Sequence, residues 1–95
     1  MGDFDDDALV RPDGLGVRRR RRALGLSRAD LVAQIERRSR EATGRTESVS
    51  RNLLKGIEEE DERVPYRVLV LTSLALGCNP VELLKDDPAG PTPSP

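Results

Sequence analysis

Histidine and tryptophan are missing from this chain, and cysteine, tyrosine and phenylalanine occur once each in 95 residues. Without histidine there is no imidazole for acid–base catalysis or a Ser-His-Asp arrangement. With a single cysteine besides, the usual zinc ligands are lacking, and no metal site is expected. Cys78 has no partner for an internal disulfide, which points to a reducing compartment. An aromatic content of 2% means that any core must be aliphatic, built mostly from Leu and Val. No apolar run approaches the roughly 18 residues that a membrane span needs. The start lacks the charged, then apolar, then small order of an export signal, so none is expected. A twin-arginine signal fails as well, because no hydrophobic segment follows the arginines. Serines and carboxylates are present, but none stands beside a recognisable base. No enzyme activity and no cofactor are expected.

Charge, by contrast, is plentiful, and the net value of −1 hides its distribution. Residues 1–14 carry five acids and one arginine. Residues 15–56 carry twelve bases against four acids, and residues 57–95 three bases against eight acids. A basic block thus lies between acidic flanks. Such segregation favours a polyanionic partner for the middle; the plain alternative is solvated helix faces.

The stretch 1–14, "MGDFDDDALVRPDG", reads as a disordered acidic arm, and 86–95, "DDPAGPTPSP", as a disordered proline-rich tail. Between them, 15–85 reads as one all-α domain of five helices. Its size, about 70 residues, leaves a single core marginal and makes dimerisation a common support. The first helix spans about Leu15 to Leu24 and ends at Gly25. Ser27 caps the second, with Asp30 as the capping-box acid and Leu31, Val32 and Ile35 as the apolar stripe. That helix has no firm stop before Gly44. Ser50 caps the third, which carries Leu53, Leu54 and Ile57. Pro65 suits the first turn of the fourth, with Val68, Leu71, Leu74 and Ala75 on its stripe. Gly77 closes the fourth helix, and Asn79-Pro80 opens a short fifth. No stretch alternates like a strand.

Five arginines in a row, Arg18 to Arg22, pose a problem for the first helix. A helix turns about 100° per residue, so five neighbours cover its whole circumference. Packed on a core, at least one must face inward and needs a buried partner. Arg21 is that residue by spacing, four after Val17 and three before Leu24.

Three pieces, "VRRRRRALGLSRADLVAQI", "VSRNLLKGIEEEDERVP" and "LALGCNPVELL", resemble in order the lambda-repressor-like (Cro/CI, XRE-type) helix-turn-helix domain. The resemblance covers about Leu15 to Leu84. It implies a compact five-helix domain whose third helix, about Arg51–Glu60, enters the major groove of DNA while the second crosses the backbone. It further implies that Arg21 pairs with Glu58, a bidentate charge-assisted contact that withstands burial. The other four arginines then lie at the surface.

Carried over residue by residue, Arg51, Asn52 and Lys55 are the implied base contacts. Arginine can fork to guanine and asparagine can pair with adenine. Ser27 and Arg28 fall near a phosphate at a helix N-terminus, where peptide N–H groups and the dipole favour an anion. Arg19, Arg38 and Arg45 belong to the wider basic field for phosphates. Read alone, each is also an ordinary exposed polar side chain, and Ser27 an ordinary cap. Leu54 fits the core position, leaving Leu53 for a thymine methyl or a protein. The implied partner is double-stranded DNA, bound by a homodimer in a cytoplasm of bacterial or phage type.

Three departures from the family pattern stand out. Ile35 and Ser50 are fifteen steps apart, an excess of about twelve residues over a tight turn. This insertion, centred on 36–48, can lengthen the second helix, reach along DNA or build a protein interface. Gly56 replaces a polar residue and leaves nothing to read a base. The loop after the third helix is "EEEDER", whose Glu59, Glu60, Asp61 and Glu62 repel a duplex if they face it. An alternative use follows: a protein-interaction or antitoxin-like subunit with little DNA binding, working through 36–48 or the 58–62 acidic loop.

Overall fold

The computed structural model describes residues 8–85. Three of its four described helices start where a side chain takes up a free N–H group of the first turn. The carboxylate of Asp13 accepts from the Gly16 N–H at 3.1 Å and opens α1, Gly14–Ala23. Ser27 and Asp30 cap α2, Arg28–Thr43, reciprocally, with both hydrogen bonds at 3.0 Å. Hydrogen bonding of its carboxylate to the Ser27 backbone first, and to the Ser27 side chain second, holds the Asp30 carboxyl below its ordinary range. Ser50 accepts from the Leu53 N–H at 3.0 Å and opens α3, Arg51–Glu59. α4, Tyr66–Leu76, follows Pro65. α2 and α4 end on Gly44 and Gly77 at φ +79° and +74°, left-handed geometry that costs other residues energy.

Among the described residues there are four α-helices and a small sheet, which corrects the expected five-helix, all-α architecture. The expected fifth helix is a 3-10 turn of four residues, Pro80–Leu83. It cannot lengthen, because Leu84 swings to extended geometry and bridges to Pro12. The sheet pairs β1, Leu9–Val10, antiparallel with β2, Val64–Pro65, in the register Leu9 to Pro65 and Val10 to Val64. Two-residue strands show no alternation that a sequence can reveal.

This sheet also revises the expected acidic arm. Residues 8–13 are built into the fold: Val10 and Pro12 are buried, Asp13 N–H donates to the Leu83 carbonyl, and Tyr66 N–H donates to that of Ala8. The rest of the expected arm, 1–7, and the expected tail, 86–95, lie outside the described residues.

α2 packs chiefly on α4, and α1 on α3. The core is aliphatic, with Leu31, Ile35, Leu54, Ile57, Leu69 and Leu83 fully buried. Leu74, expected on the α4 stripe, is instead exposed, and Leu69 and Thr72 take the inward positions. The Thr72 hydroxyl is satisfied within its own helix, donating to the Val68 carbonyl at 2.8 Å. The inserted segment lengthens α2 to Thr43 and then folds back. Ser39, fully buried, pins the return: its hydroxyl accepts from the Glu47 N–H at 2.8 Å and lies 3.1 Å from the Glu47 carbonyl.

α1 presents Gly14, Val17 and Arg21 to the interior. At Gly14 it crosses α3 so closely that a Cβ would collide with the Ile57 carbonyl oxygen and press on the Glu58 backbone. Both neighbours are main chain and cannot move aside. Gly14→Ala should therefore lower unfolding stability by about 1–3 kcal/mol, as overpacking does. Urea unfolding followed by circular dichroism checks this, and an unchanged midpoint would contradict the close crossing.

Candidate nucleic-acid interface

The site is organised around one buried carboxylate. Glu58 lies in the last turn of α3 with its side chain wholly shielded from solvent. Arg21 of α1 grips it as a fork, Nε to Oε2 at 2.8 Å and Nη2 to Oε1 at 2.9 Å. The third Arg21 nitrogen, Nη1, donates to the Leu26 carbonyl at 2.8 Å in the turn before α2. Arg28, at the start of α2, adds an Nε contact to Glu58 Oε1 at 3.2 Å and donates through Nη2 to Glu59. Three helices and one turn thus meet on two adjacent acids.

Burial pushes the Glu58 carboxyl up, but hydrogen bonds and charge from Arg21, then Arg28, outweigh it and leave the group below the ordinary range. Arg21 is raised in turn, first by its bond to Glu58 against the cost of desolvation. Arg28 is raised, first by its bond to Glu59.

The expectation of one inward arginine and four at the surface needs revision. Arg18 lies with Nε 3.7 Å from Glu58 and Nη2 4.0 Å from Glu59, too long for hydrogen bonds but close enough to add charge. Arg20 pairs with Glu82 at 2.9 Å, tying α1 to the 3-10 turn. Arg19 and Arg22 are exposed.

Beyond the ion pairs opens a groove of about 600 Å³. Arg51, Asn52 and Lys55 of α3 line it together with Ser27 and Arg28 at the start of α2, and Arg21 and Arg22 complete its cationic lining. No acid is among the lining residues. Five residues named from the sequence therefore share one surface. Two of them are already engaged: the Ser27 hydroxyl caps α2, and Arg28 holds Glu58 and Glu59. The other three proposed phosphate contacts lie outside the groove. Arg19 is on the outer face of α1, Arg38 sits 3.5 Å from Glu41 in the second half of α2, and Arg45 is exposed in the returning loop.

The acidic loop does not cover the basic groove. Glu60 and Asp61 line a second groove, of about 400 Å³, with Asp13, Leu15 and Lys85. Asp61 there accepts from Lys85 Nζ at 3.1 Å. Glu58 and Glu59 border this acidic groove while their arginine partners border the basic one, so the ion pairs stand between the two. Asp61, at φ +54°, turns the chain sharply back so that the Glu62 N–H reaches the Gly56 carbonyl at 3.3 Å. The Glu62 carboxylate rests on Gly56, so the glycine faces the returning loop.

The engagement of Glu59 and Arg18 was missed by sequence reasoning. Their partners are remote along the chain, and the only local trace is Lys55 one turn before Glu59. Cys78 is half-buried and free, its thiol pushed up first by burial. Among the described residues, no cluster of His, Cys, Asp or Glu can hold a metal, and no helix is long and apolar enough to cross a membrane. The chain matches no protein-family model, no curated protein and no solved structure.

Because the Glu58 carboxyl is lowered in the fold, its contribution is present above the ordinary carboxylate range and is lost as pH falls through the folded value. Glu58→Gln should cost about 3 kcal/mol near pH 7, since it leaves Arg21 without its counter-charge. Wild type and variant should converge as pH falls below the ordinary carboxylate range and through the folded value of Glu58, read from urea unfolding at each pH. A gap that stays constant across that range would remove Glu58 as its source. Gly56→Ala should act the other way. Only the flexible tip of Glu62 must move, so the helix should gain about 0.5–1 kcal/mol, visible as a higher thermal midpoint.

Proposed function

We propose that this chain is a sequence-specific DNA-binding transcriptional regulator that lays α3 along the major groove. The observation that carries the reading is the basic groove, where the exposed head of α3 and the start of α2 form one cationic surface with no acid in its lining. In this reading Arg51 forks to a guanine, Asn52 pairs with an adenine and Lys55 reaches either one turn later. Ser27 and Arg28 approach a phosphate at the N-terminus of α2, where the free peptide groups favour an anion. Arg19, Arg38 and Arg45 lie outside the groove and supply affinity blind to sequence. Kinship with the lambda-repressor-like helix-turn-helix class is part of the proposal and rests on the three sequence motifs.

The regulator acts as a homodimer in the bacterial or phage-infected cytoplasm, on the nucleoid, since paired half-sites multiply affinity and a small core gains from a partner. Leu9, Leu15, Leu24 and Val81, each more than half exposed, leave apolar surface for such contacts.

A second reading makes the chain a protein-interaction or antitoxin-like subunit. It is favoured by the acidic groove around Glu60 and Asp61 and by the hold of Glu59 on Arg28.

Selection of bound duplexes from a random pool tests the proposal, with an enriched motif expected; a pool that stays random would favour the second reading. Given a motif, Arg51→Ala should cost about 1–3 kcal/mol and relax preference at one base position. Arg38→Ala should instead weaken all duplexes equally and lower the salt slope by about 0.9. Equal effects of both variants on random and selected duplexes would argue against base readout.

A further inference from the structure

The arrangement of Arg28 carries a further inference, which rests on the proposed anion-binding role of the basic groove. Arg28 is the lining residue placed at the α2 N-terminus, where an incoming phosphate gains most from the free peptide groups. Its guanidinium is not idle. Nε faces Glu58, and Nη2 donates to Glu59 across the ion-pair wall. The two acids differ in kind. Glu58 is fully shielded and already gripped by both arms of Arg21, so it is a fixed part of the interior. Glu59 is 38% exposed, sits on the solvent side of α3, and has no hydrogen bond other than that from Arg28 among the described residues. It therefore occupies Nη2, a donor that a phosphate oxygen would otherwise take, while Nη1 makes no hydrogen bond among the described residues.

We propose that Glu59 is a resident competitor at this groove: its carboxylate stands in for a phosphate on the Nε–Nη2 edge of Arg28, and an incoming polyanion that takes this edge displaces it. The exchange needs no rearrangement of the core. Glu58 keeps hold of Nε, so Arg28 stays anchored at the groove while Nη2 changes partner. Arg18, 4.0 Å from Glu59 and not among the residues lining the groove, offers the displaced carboxylate a second cation. The Glu59 carboxyl is held below its ordinary range, first by the Arg28 hydrogen bond, so it remains a charged competitor throughout the neutral range. The effect is a tax blind to sequence, because any duplex whose phosphate takes Nη2 breaks the same ion pair.

The test compares wild type, Glu59→Gln, Glu60→Gln and the double variant Arg28→Gln/Glu59→Gln on a short random-sequence duplex across a salt series. Glu59→Gln should bind about two- to fivefold tighter, the release of one partly exposed pair, with little change in salt slope because the same Arg28–phosphate contact forms in both. Glu60→Gln, which removes the same charge from the acidic groove, should fall well short of this, and the double variant should lose the gain. Equal tightening by Glu60→Gln, or a gain that survives in the double variant, overturns the proposal. A parallel titration with tripolyphosphate follows the Arg28 Nε–H resonance by NMR. If no variant binds duplex, the DNA reading fails, and this arm alone judges Glu59. A larger Arg28 response in Glu59→Gln than in wild type upholds competition; equal responses overturn it.

Discussion

An ionised carboxylate inside an aliphatic core is intolerable unless donors surround it, and Glu58 obtains its donors from two other helices. Arg21 comes from α1 and Arg28 from the head of α2, and both converge on the last turn of α3. The three helices are therefore not free to slide independently. A shift of any one by a turn would leave a buried charge without its partner, a loss of several kcal/mol. The close crossing at Gly14 belongs to the same constraint. An arginine side chain on a helix leans toward the N-terminus, so Arg21 reaches Glu58 near the point where Gly14 lets the two backbones approach. The row of arginines thus reads as a structural solution first and a basic patch second.

The same constraint sorts the charges. A net value near zero conceals two grooves of opposite character, one cationic and one anionic, divided by arginine–glutamate contacts. The molecule carries a strong local dipole across the α3 face. Charge segregated in this way sets up an orienting field, and such a field weakens with salt.

Much of this was legible in the sequence where local chemistry decides. The caps at Ser27, Asp30 and Ser50 and the stops at Gly44 and Gly77 act over three or four residues, and their types announce them. The inward place of Arg21 followed from its spacing to Val17, whereas Leu24, the other guide to that stripe, is exposed. Non-local features stayed hidden. The pairing of Leu9–Val10 with Val64–Pro65 joins segments more than fifty residues apart through main-chain bonds that no side-chain pattern encodes. The fifth helix was misjudged because a proline start and apolar spacing fit a 3-10 turn as well as an α-helix; the return of Leu84 to Pro12 decided between them. At the basic groove, the head of α3 was readable as a polar cluster. The engagement of Arg28 was not, because it depends on how α2 and α3 cross.

Ser39 has a consequence for how such a chain can change. Its hydroxyl clips the returning strand at Glu47 to α2, so α3 starts from a fixed point whatever lies between. The residues from Arg40 to Thr46 form a handle beyond that clip, mostly wet and carrying none of the core. Loop closure grows costly only slowly with length, so this handle can lengthen, shorten or be recoloured in charge while the angle between the two helices holds. It offers a natural point of diversification, and an engineer's attachment point for a label or a fused peptide.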